Sequence, residues 1–161
     1  MRSVYLLIAF VIVLFDQLTK YWINVGMIPG ESIEITRFFN LVYVFNPGAA
    51  FSFLSDAPGW QRYFFAVVAI AVSIWIVYLL WKHPERVRFN SALTLVLGGA
   101  IGNVIDRIRL GAVIDFLDVH AYGYHWPAFN VADSAITCGA ILLIWDSFFQ
   151  RSRSQPIKDF P

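Results

Sequence analysis

The chain has 161 residues, of which 58% are hydrophobic and only 14% are charged. An average soluble domain is roughly 45–50% apolar and roughly 25% charged, so this composition excludes a soluble globular protein. The formal net charge is +1, with 12 basic and 11 acidic residues, which gives no electrostatic basis for binding nucleic acid. The single cysteine, Cys138, cannot form a disulfide within the chain and lies in an apolar run rather than among metal ligands.

Four apolar segments are each long enough to cross a bilayer, which takes about 20 residues. They predict one membrane domain, residues 1–161, with spans at about 4–23, 63–81, 89–105 and 130–149. The first segment follows Arg2 as the apolar core of a signal peptide would. No small-residue cleavage pattern comes after it, so we expect a retained span. Gly98, Gly99 and Gly102 stand at helical spacing in the third segment and favour close helix packing.

The distribution of lysine and arginine predicts that both termini are cytoplasmic. In this orientation the cytoplasmic side holds seven basic residues, namely Arg2, Lys82, Arg86, Arg88, Arg151, Arg153 and Lys158. The outer side holds four, namely Arg37, Arg62, Arg107 and Arg109. The acidic residues on or near the outer side are Glu31, Glu34, Asp56, Asp106, Asp115, Asp118 and Asp133. We therefore expect any chemistry to take place on the outer side.

The loop between the first two spans, about residues 30–56, is long enough to fold. Residues 33–36 and 41–45 have β-type composition, and the turn sequence Asn46-Pro47-Gly48 follows them. Residues 112–119, between the third and fourth spans, predict another strand. The predicted fold class is therefore an α-helical membrane protein with four transmembrane helices and a small extracytoplasmic β-sheet.

Ionisable residues in apolar segments are costly unless they are paired or hydrated, so each one is a candidate functional residue. Asp16 and Lys20 stand four residues apart, acid first, which is the favourable order for an ion pair on one helix. We expect a structural pair near the helix end, with the Lys20 ammonium extended outward to the interface. Asp106 and Arg107 fit three interpretations: an ion pair, a carboxylate-binding device or an interfacial anchor.

Asp115 and Asp133 are the strongest candidates for catalysis. Side chains alternate along a strand, so Asp115 and Asp118 point to opposite faces, and only one of them can face a given site. Asp133 falls in the first turn of the fourth span, three residues after the candidate N-cap Asn130, and its alternative role is that of a capping acid. A strand carboxylate and a helix-start carboxylate can meet across a cleft and share one proton, as in aspartic proteases.

The same positions predict which of the two carboxyl groups is charged. Free backbone N–H groups and the positive end of the helix dipole favour an anion at Asp133. Asp115 lies between the apolar residues Val113 and Leu117, without a comparable set of donors, and burial favours its neutral form. We therefore expect Asp115 to hold the shared proton more of the time.

Other chemistries of these residues are less well supported. The candidate metal ligands are Asp115, Asp118, His120, His125 and Asp133. Strand alternation divides the first three between two faces, and the set forms no dense ligand motif. Ser134 with a histidine would suggest a serine hydrolase, but no nucleophile elbow surrounds it. We expect neither a metal nor a cofactor.

Two further classes of function remain open on the residues alone. A small transporter or channel subunit would use Asp16, Asp106 and Asp133 as a proton or cation path. The absence of an inverted repeat and of a broken apolar segment counts against alternating access. A structural membrane scaffold is the other alternative.

Five motifs occur in order along nearly the whole chain. They are 16–20 (DQLTK), 45–52 (FNPGAAFS), 99–103 (GAIGN) with Asp106-Arg107, 113–116 (VIDF) and 129–134 (FNVADS). This set resembles that of the bacterial lipoprotein signal peptidases, the signal peptidase II family. The resemblance implies an intramembrane aspartic endopeptidase that removes the signal peptide of prolipoproteins just before their diacylglyceryl-modified cysteine.

The resemblance also implies roles for individual residues, partners and a location. The implied catalytic pair is Asp115 and Asp133. The implied substrate-binding or supporting residues are Asn46, Asn103, Arg107, Asn130, Asp16, Lys20 and Gly102. The implied partners are diacylglyceryl prolipoproteins, membrane lipid and globomycin-type peptide inhibitors. The implied location is the bacterial inner membrane, with several spans, both termini cytoplasmic and the active site at the outer leaflet.

Overall fold

The computed structural model describes residues 2–48 and 59–153. The part of the predicted outer loop at 49–56, including 49–52 of the second motif, lies outside the described residues. The elements in chain order are α1 (Arg2–Gly26), β1 (Ser32–Thr36), β2 (Phe39–Asn46), α2 (Gln61–Lys82), α3 (Val87–Leu110), β3 (Val113–Ala121), β4 (Tyr124–His125) and α4 (Val131–Arg153).

Four helices are long and apolar enough to cross a membrane, at Ser3–Gly26, Gln61–Lys82, Val87–Leu110 and Val131–Phe149. With the small antiparallel sheet, they confirm the predicted fold class. The helix α3 continues beyond the predicted span at 89–105 and ends at Leu110, where Gly111 caps it with a φ of 78°. Asp106 and Arg107, which follow the charge-free apolar run, both lie within this helix.

The helix α3 is the centre of the bundle and packs against α1, α2 and α4. Its glycines allow these contacts: a Cβ at Gly98 would meet Ile12 of α1, and a Cβ at Gly99 would meet the backbone of Ala132 in α4. The prediction that these glycines serve helix packing is confirmed. An apolar core joins α1, α2 and α3 toward the end of the bundle that lies away from the sheet, and its buried residues are Tyr5, Ala9, Ile76, Leu80, Leu93 and Leu97.

The sheet has the strand order β1-β2-β3-β4, with antiparallel neighbours, and the three predicted strands are confirmed. A second core packs the sheet onto the end of α1, and its buried residues are Ile23, Met27, Tyr43, Ile114 and Phe116. A bulge in β2 between Leu41 and Val44 shifts the register against β3, so that Val44 pairs with Asp115. An antiparallel bridge between Leu117 and Phe129 brings the centre of β3 close to the start of α4.

Candidate active site

Asp115 lies within β3 and is only 2% exposed. Both of its carboxylate oxygens accept a hydrogen bond from an asparagine amide: Asn46 Nδ2 donates at 2.9 Å and Asn130 Nδ2 donates at 2.7 Å. The expectation that Asp115 lacks a set of donors is therefore wrong. The donors come from β2 and from the residue before α4, and the strand sequence gives no signal of either.

Asp133 lies in the first turn of α4 and is partly exposed. Asn130 caps this helix, because its Oδ1 accepts the backbone N–H of Asp133 at 2.9 Å, and the predicted N-cap is confirmed. The Asp133 carboxylate accepts the backbone N–H of Asn130 at 3.3 Å in return, which completes a reciprocal capping arrangement. Asn103 Nδ2 donates to the other Asp133 oxygen at 2.7 Å.

We call Asp115 and Asp133 the dyad. Asn130 contacts both of them. Its side chain is fully buried, with the amide nitrogen directed at Asp115 and the amide oxygen directed at the backbone of Asp133. Each of the four dyad carboxylate oxygens accepts an N–H hydrogen bond. Asp115 and Asp133 therefore both contact one asparagine.

Asn46 is held in the orientation that faces Asp115. Its Oδ1 accepts the backbone N–H of Gly48 at 2.9 Å, so its NH₂ group is left to point at the carboxylate. Gly48 has a φ of 114°, and a Cβ there would lie 2.6 Å from the Phe65 ring of α2. A glycine is thus required at this turn by both its backbone conformation and its contact.

Burial raises the pKa of Asp115 to about 7. The hydrogen bond from Asn46 opposes this rise, and the nearby negative charge of Asp133 adds to it. A carboxyl group with such a pKa holds a proton for much of the time near neutrality, which suits it to donate one.

Lys20 is placed differently from the prediction that its ammonium extends to the interface. It is only 2% exposed, and its Nζ donates to Asp16 at 2.9 Å, to Asp106 at 2.8 Å and to Asn103 Oδ1 at 2.9 Å. The predicted Asp16–Lys20 ion pair is confirmed, but the outward direction is wrong. Two carboxylates and an amide oxygen replace the hydration shell that would otherwise draw the ammonium to water.

The sequence left open an ion pair between Arg107 and Asp106. In the structure Asp106 pairs with Lys20 instead. One Arg107 Nη donates to the backbone oxygen of Asn103 at 3.4 Å, and the guanidinium lies 5.6 Å from the Phe65 ring centre. Its Nε is buried and has no hydrogen-bond partner among residues 2–48 and 59–153. Its positive charge lies within electrostatic range of both dyad acids.

Gly102 and Gln17 complete the surroundings of Asp16. A Cβ at Gly102 would lie 2.6 Å from an Asp16 carboxylate oxygen, so the glycine makes room for that acid. Gln17 Nε2 donates to Asp106 at 3.0 Å, to Asp16 at 3.2 Å and to the backbone oxygen of Gly102 at 3.2 Å. Sequence reasoning missed Gln17, although a polar amide inside an apolar segment was a signal for it.

Asp118 lies on the other face of β3, as strand alternation predicts. It accepts hydrogen bonds from Asn40 at 2.8 Å and from His125 at 2.9 Å, and His125 stacks on His120 with ring centres 4.7 Å apart. Burial would raise the pKa of Asp118, but the hydrogen bonds from His125 and Asn40 hold it below its usual value. These residues form a group of their own, separate from the dyad, and no set of three metal-ligating side chains occurs within the described ranges.

A cavity of about 580 Å³ opens beside Asp133. Its lining is predominantly apolar and comprises Val119, Trp126, Phe129, Asp133, Ser134, Thr137 and Cys138. Ser134 does not act with a histidine here, because its hydroxyl donates to the backbone oxygen of Asn130 at 2.9 Å. The partly exposed carboxylate of the dyad therefore borders an apolar groove on a membrane-length helix.

Comparison with known proteins gives a consistent result. The family model described as Signal peptidase (SPase) II matches residues 8–149. The chain is 60% identical over 139 residues to the lipoprotein signal peptidase of Janthinobacterium sp. (strain Marseille), covering 86% of this chain and 84% of that protein. It is 56% identical over 138 residues to the lipoprotein signal peptidase of Cupriavidus pinatubonensis, covering 86% and 78%.

A solved bacterial membrane enzyme has the same fold, with a TM-score of 0.85 and 37% identity over 99% of this chain and 95% of its own. Four membrane-length helices and the match to the signal peptidase II model identify a membrane aspartic peptidase. The chain belongs to the signal peptidase II family, as its motifs predict.

Proposed function

We propose that Asp115 and Asp133 are the catalytic carboxylates with which this member of the signal peptidase II family cleaves the signal peptide from prolipoproteins. The cleaved bond is the one just before the diacylglyceryl-modified cysteine. The observation that carries this proposal is that both carboxylates contact Asn130: its Nδ2 donates to Asp115 at 2.7 Å, and its backbone N–H donates to Asp133 at 3.3 Å.

The mechanism is general acid–base hydrolysis by a water molecule, with no covalent intermediate. The ionised Asp133 takes a proton from water, whose oxygen attacks the peptide carbonyl carbon, while the protonated Asp115 donates its proton to the carbonyl oxygen. Collapse of the tetrahedral intermediate breaks the C–N bond: the proton that Asp133 took from water passes to the leaving nitrogen, and the former carbonyl oxygen returns its proton to Asp115. The pKa of about 7 at Asp115 supports its assignment as the proton donor.

Polar groups around the dyad are suited to hold the peptide. The Arg107 guanidinium lies within electrostatic range of both dyad acids, so it is suited to bind a peptide carbonyl or a lipid ester oxygen beside them. A globomycin-type peptide inhibitor would occupy this same cleft. Membrane lipid would border the apolar groove beside Asp133, from which an acylated substrate can enter.

Cleavage of a purified diacylglyceryl prolipoprotein tests the proposed function. We expect the purified enzyme to release the signal peptide in the presence of EDTA, because two carboxylates and a water suffice for aspartic hydrolysis. Mass spectrometry should identify a mature protein that begins with the lipidated cysteine. The same prolipoprotein without its diacylglyceryl group is the control substrate. Ion flux into vesicles without cleavage would instead support a channel. The absence of both cleavage and ion flux would support a structural scaffold.

The raised pKa of Asp115 predicts how cleavage depends on pH. We expect kcat/KM to fall as the pH rises through about 7, because the carboxyl group that donates the proton is then ionised. The two acids titrate as a pair, so the measured value belongs to the dyad. A pH–rate profile at limiting substrate checks this, with enzyme integrity followed at each pH. A rate that stays constant well into the alkaline range would contradict the assignment of Asp115 as the donor.

We also propose that both termini are cytoplasmic in the bacterial inner membrane and that the dyad lies at the outer leaflet. This orientation rests on the seven-to-four excess of basic residues. A membrane-impermeant maleimide applied to intact cells should label Tyr122→Cys, in the turn after β3, but not Glu85→Cys, between α2 and α3. Both variants are made in a Cys138→Ser background. Labelling of Glu85→Cys but not of Tyr122→Cys would show the opposite orientation and contradict the proposal.

A further inference from the structure

We propose that Lys20 is a positioning residue for the dyad: its ammonium fixes two carboxylates and one amide, each of which holds a group at or next to a catalytic aspartate. This inference rests on the assignment of Asp115 and Asp133 as the catalytic pair. We call Asp16, Lys20, Asn103 and Asp106 the lysine cluster.

The hydrogen-bonding capacity of Lys20 is used completely within the lysine cluster. An ammonium has three N–H groups and no acceptor, and the three acceptors here are Asp16, Asp106 and Asn103 Oδ1, all within 2.9 Å. Lys20 therefore has no donor left for a substrate. Its action on the reaction has to pass through these three residues.

Each carboxylate that Lys20 holds is bonded to the backbone beside one dyad acid. Asp16 Oδ1 accepts the N–H of Ala132 at 2.9 Å, one residue before Asp133. Asp106 Oδ2 accepts the N–H of Ile114 at 3.2 Å, one residue before Asp115. The ammonium thus links, through one carboxylate on each side, the two peptide units that precede the catalytic residues.

Lys20 also fixes the direction of the Asn103 amide. Because Lys20 Nζ donates to Asn103 Oδ1, the NH₂ group of Asn103 is turned toward Asp133 and donates to it at 2.7 Å. Without the ammonium, the main support for this orientation is Asn130 Nδ2, which lies 3.3 Å from the same oxygen. A flipped Asn103 would present its oxygen to the Asp133 carboxylate, which is repulsive.

The charge of Lys20 also acts on the dyad. The charged groups within electrostatic range of the dyad are Asp16 and Lys20 from α1 and Arg107 from α3, and Asp106 of α3 pairs with Lys20. Removal of the ammonium would leave two buried carboxylates without their cation, next to a pair that must itself carry a negative charge to act. Burial dominates the raised pKa of Asp115, and the charge of Lys20 is among the effects that oppose it.

The test compares Lys20→Met and Lys20→Arg with the wild type on a purified diacylglyceryl prolipoprotein. We expect Lys20→Met to lower kcat by about 10- to 10²-fold, since small displacements of reacting groups have effects of this size. KM should change much less, because Lys20 does not contact substrate, and the acidic limb of the pH–kcat profile should move to higher pH. Lys20→Arg should retain more activity than Lys20→Met, because it keeps the charge.

A second variant keeps the inference testable if Lys20→Met does not fold. The double variant Lys20→Met/Asp106→Asn has the same net charge in the lysine cluster as the wild type, and the amide oxygen that it introduces can still accept the N–H of Ile114. We expect this variant to regain stability while its kcat stays low, because Asn103 has lost the donor that orients it. Wild-type kcat in either folded variant would overturn the inference.

Arg86→Met is the matched control. It removes an ion pair between the α3 end and α4, where Arg86 lies 2.8 Å from Asp146 near the end of the bundle remote from the sheet. It should leave kcat and the pH profile unchanged. If the proposed function is wrong, the wild type will not cleave the prolipoprotein, or Asp115→Asn will cleave it as the wild type does. If only this inference is wrong, the wild type cleaves, Asp115→Asn does not, and Lys20→Met behaves as the wild type.

Discussion

Asp115→Asn and Asp133→Asn should each abolish measurable cleavage of a diacylglyceryl prolipoprotein. Each change removes a carboxyl group that has to carry a proton during the cycle, and general acid–base groups contribute about 10²- to 10⁴-fold each. The loss should appear in kcat, while binding of an uncleaved substrate persists. Thermal unfolding in micelles should show that both variants are folded, because asparagine has nearly the same shape as aspartate.

Asp118→Asn is the matched control for these two variants. Asp118 is a buried acid on the same strand, but it faces Asn40 and His125 rather than the dyad. We expect its kcat to stay close to that of the wild type. A loss of activity in Asp118→Asn with normal activity in Asp115→Asn would overturn the assignment of the strand faces.

Replacement of Asn130 should have the next largest effect. Asn130→Ser keeps a side-chain oxygen that can cap α4, but it removes the amide that donates to Asp115 at 2.7 Å. We expect kcat to fall by about 10²-fold, because the two acids are no longer held on one bridging group. Asn130→Asp should be more severe, since it places a third carboxylate against Asp115.

Two further variants separate the effect of Asn130 on catalysis from its effect on helix stability. Asn130→Ala also removes the cap, so it should cost about 1 kcal/mol of stability beyond Asn130→Ser at similar kcat. Asn90→Ser is the control at a remote site, where a buried asparagine donates to the backbone oxygen of His83 at 2.8 Å. It should lower stability and leave kcat unchanged. If kcat follows stability across all four variants, Asn130 serves only the fold.

Much of the fold could be predicted because its signals are local. The membrane spans follow from runs of about 20 apolar residues, and the strands follow from β-type composition next to turn residues. The cap at Asn130 and the opposite faces of Asp115 and Asp118 follow from helix and strand geometry alone. The end of α3 could not be predicted in this way, because Asp106 is accepted inside the helix through its pairing with Lys20 of α1.

The candidate site also has features that could be predicted from the sequence and features that could not. The two acids, their asparagines and the family itself could be identified from the motifs, since residue types and their order are properties of the sequence. The hydrogen bond from Asn46 to Asp115 could not be predicted, because Asn46 is 69 residues away along the chain and reaches Asp115 only through the pairing of β2 with β3. The role of Gln17 was missed for the same reason, as its acceptor on Asp106 lies 89 residues away.

Residue types and their order are enough to identify a four-span membrane protein of the signal peptidase II family, with Asp115 and Asp133 as its candidate catalytic pair. The pairing of the charges depends on how the helices pack. The Lys20 side chain points inward because a carboxylate of α1, a carboxylate of α3 and the Asn103 Oδ1 accept the hydrogen bonds of its three N–H groups. A hydropathy pattern records the cost of burying such a charge, but the compensation comes from residues that only packing brings within hydrogen-bond distance.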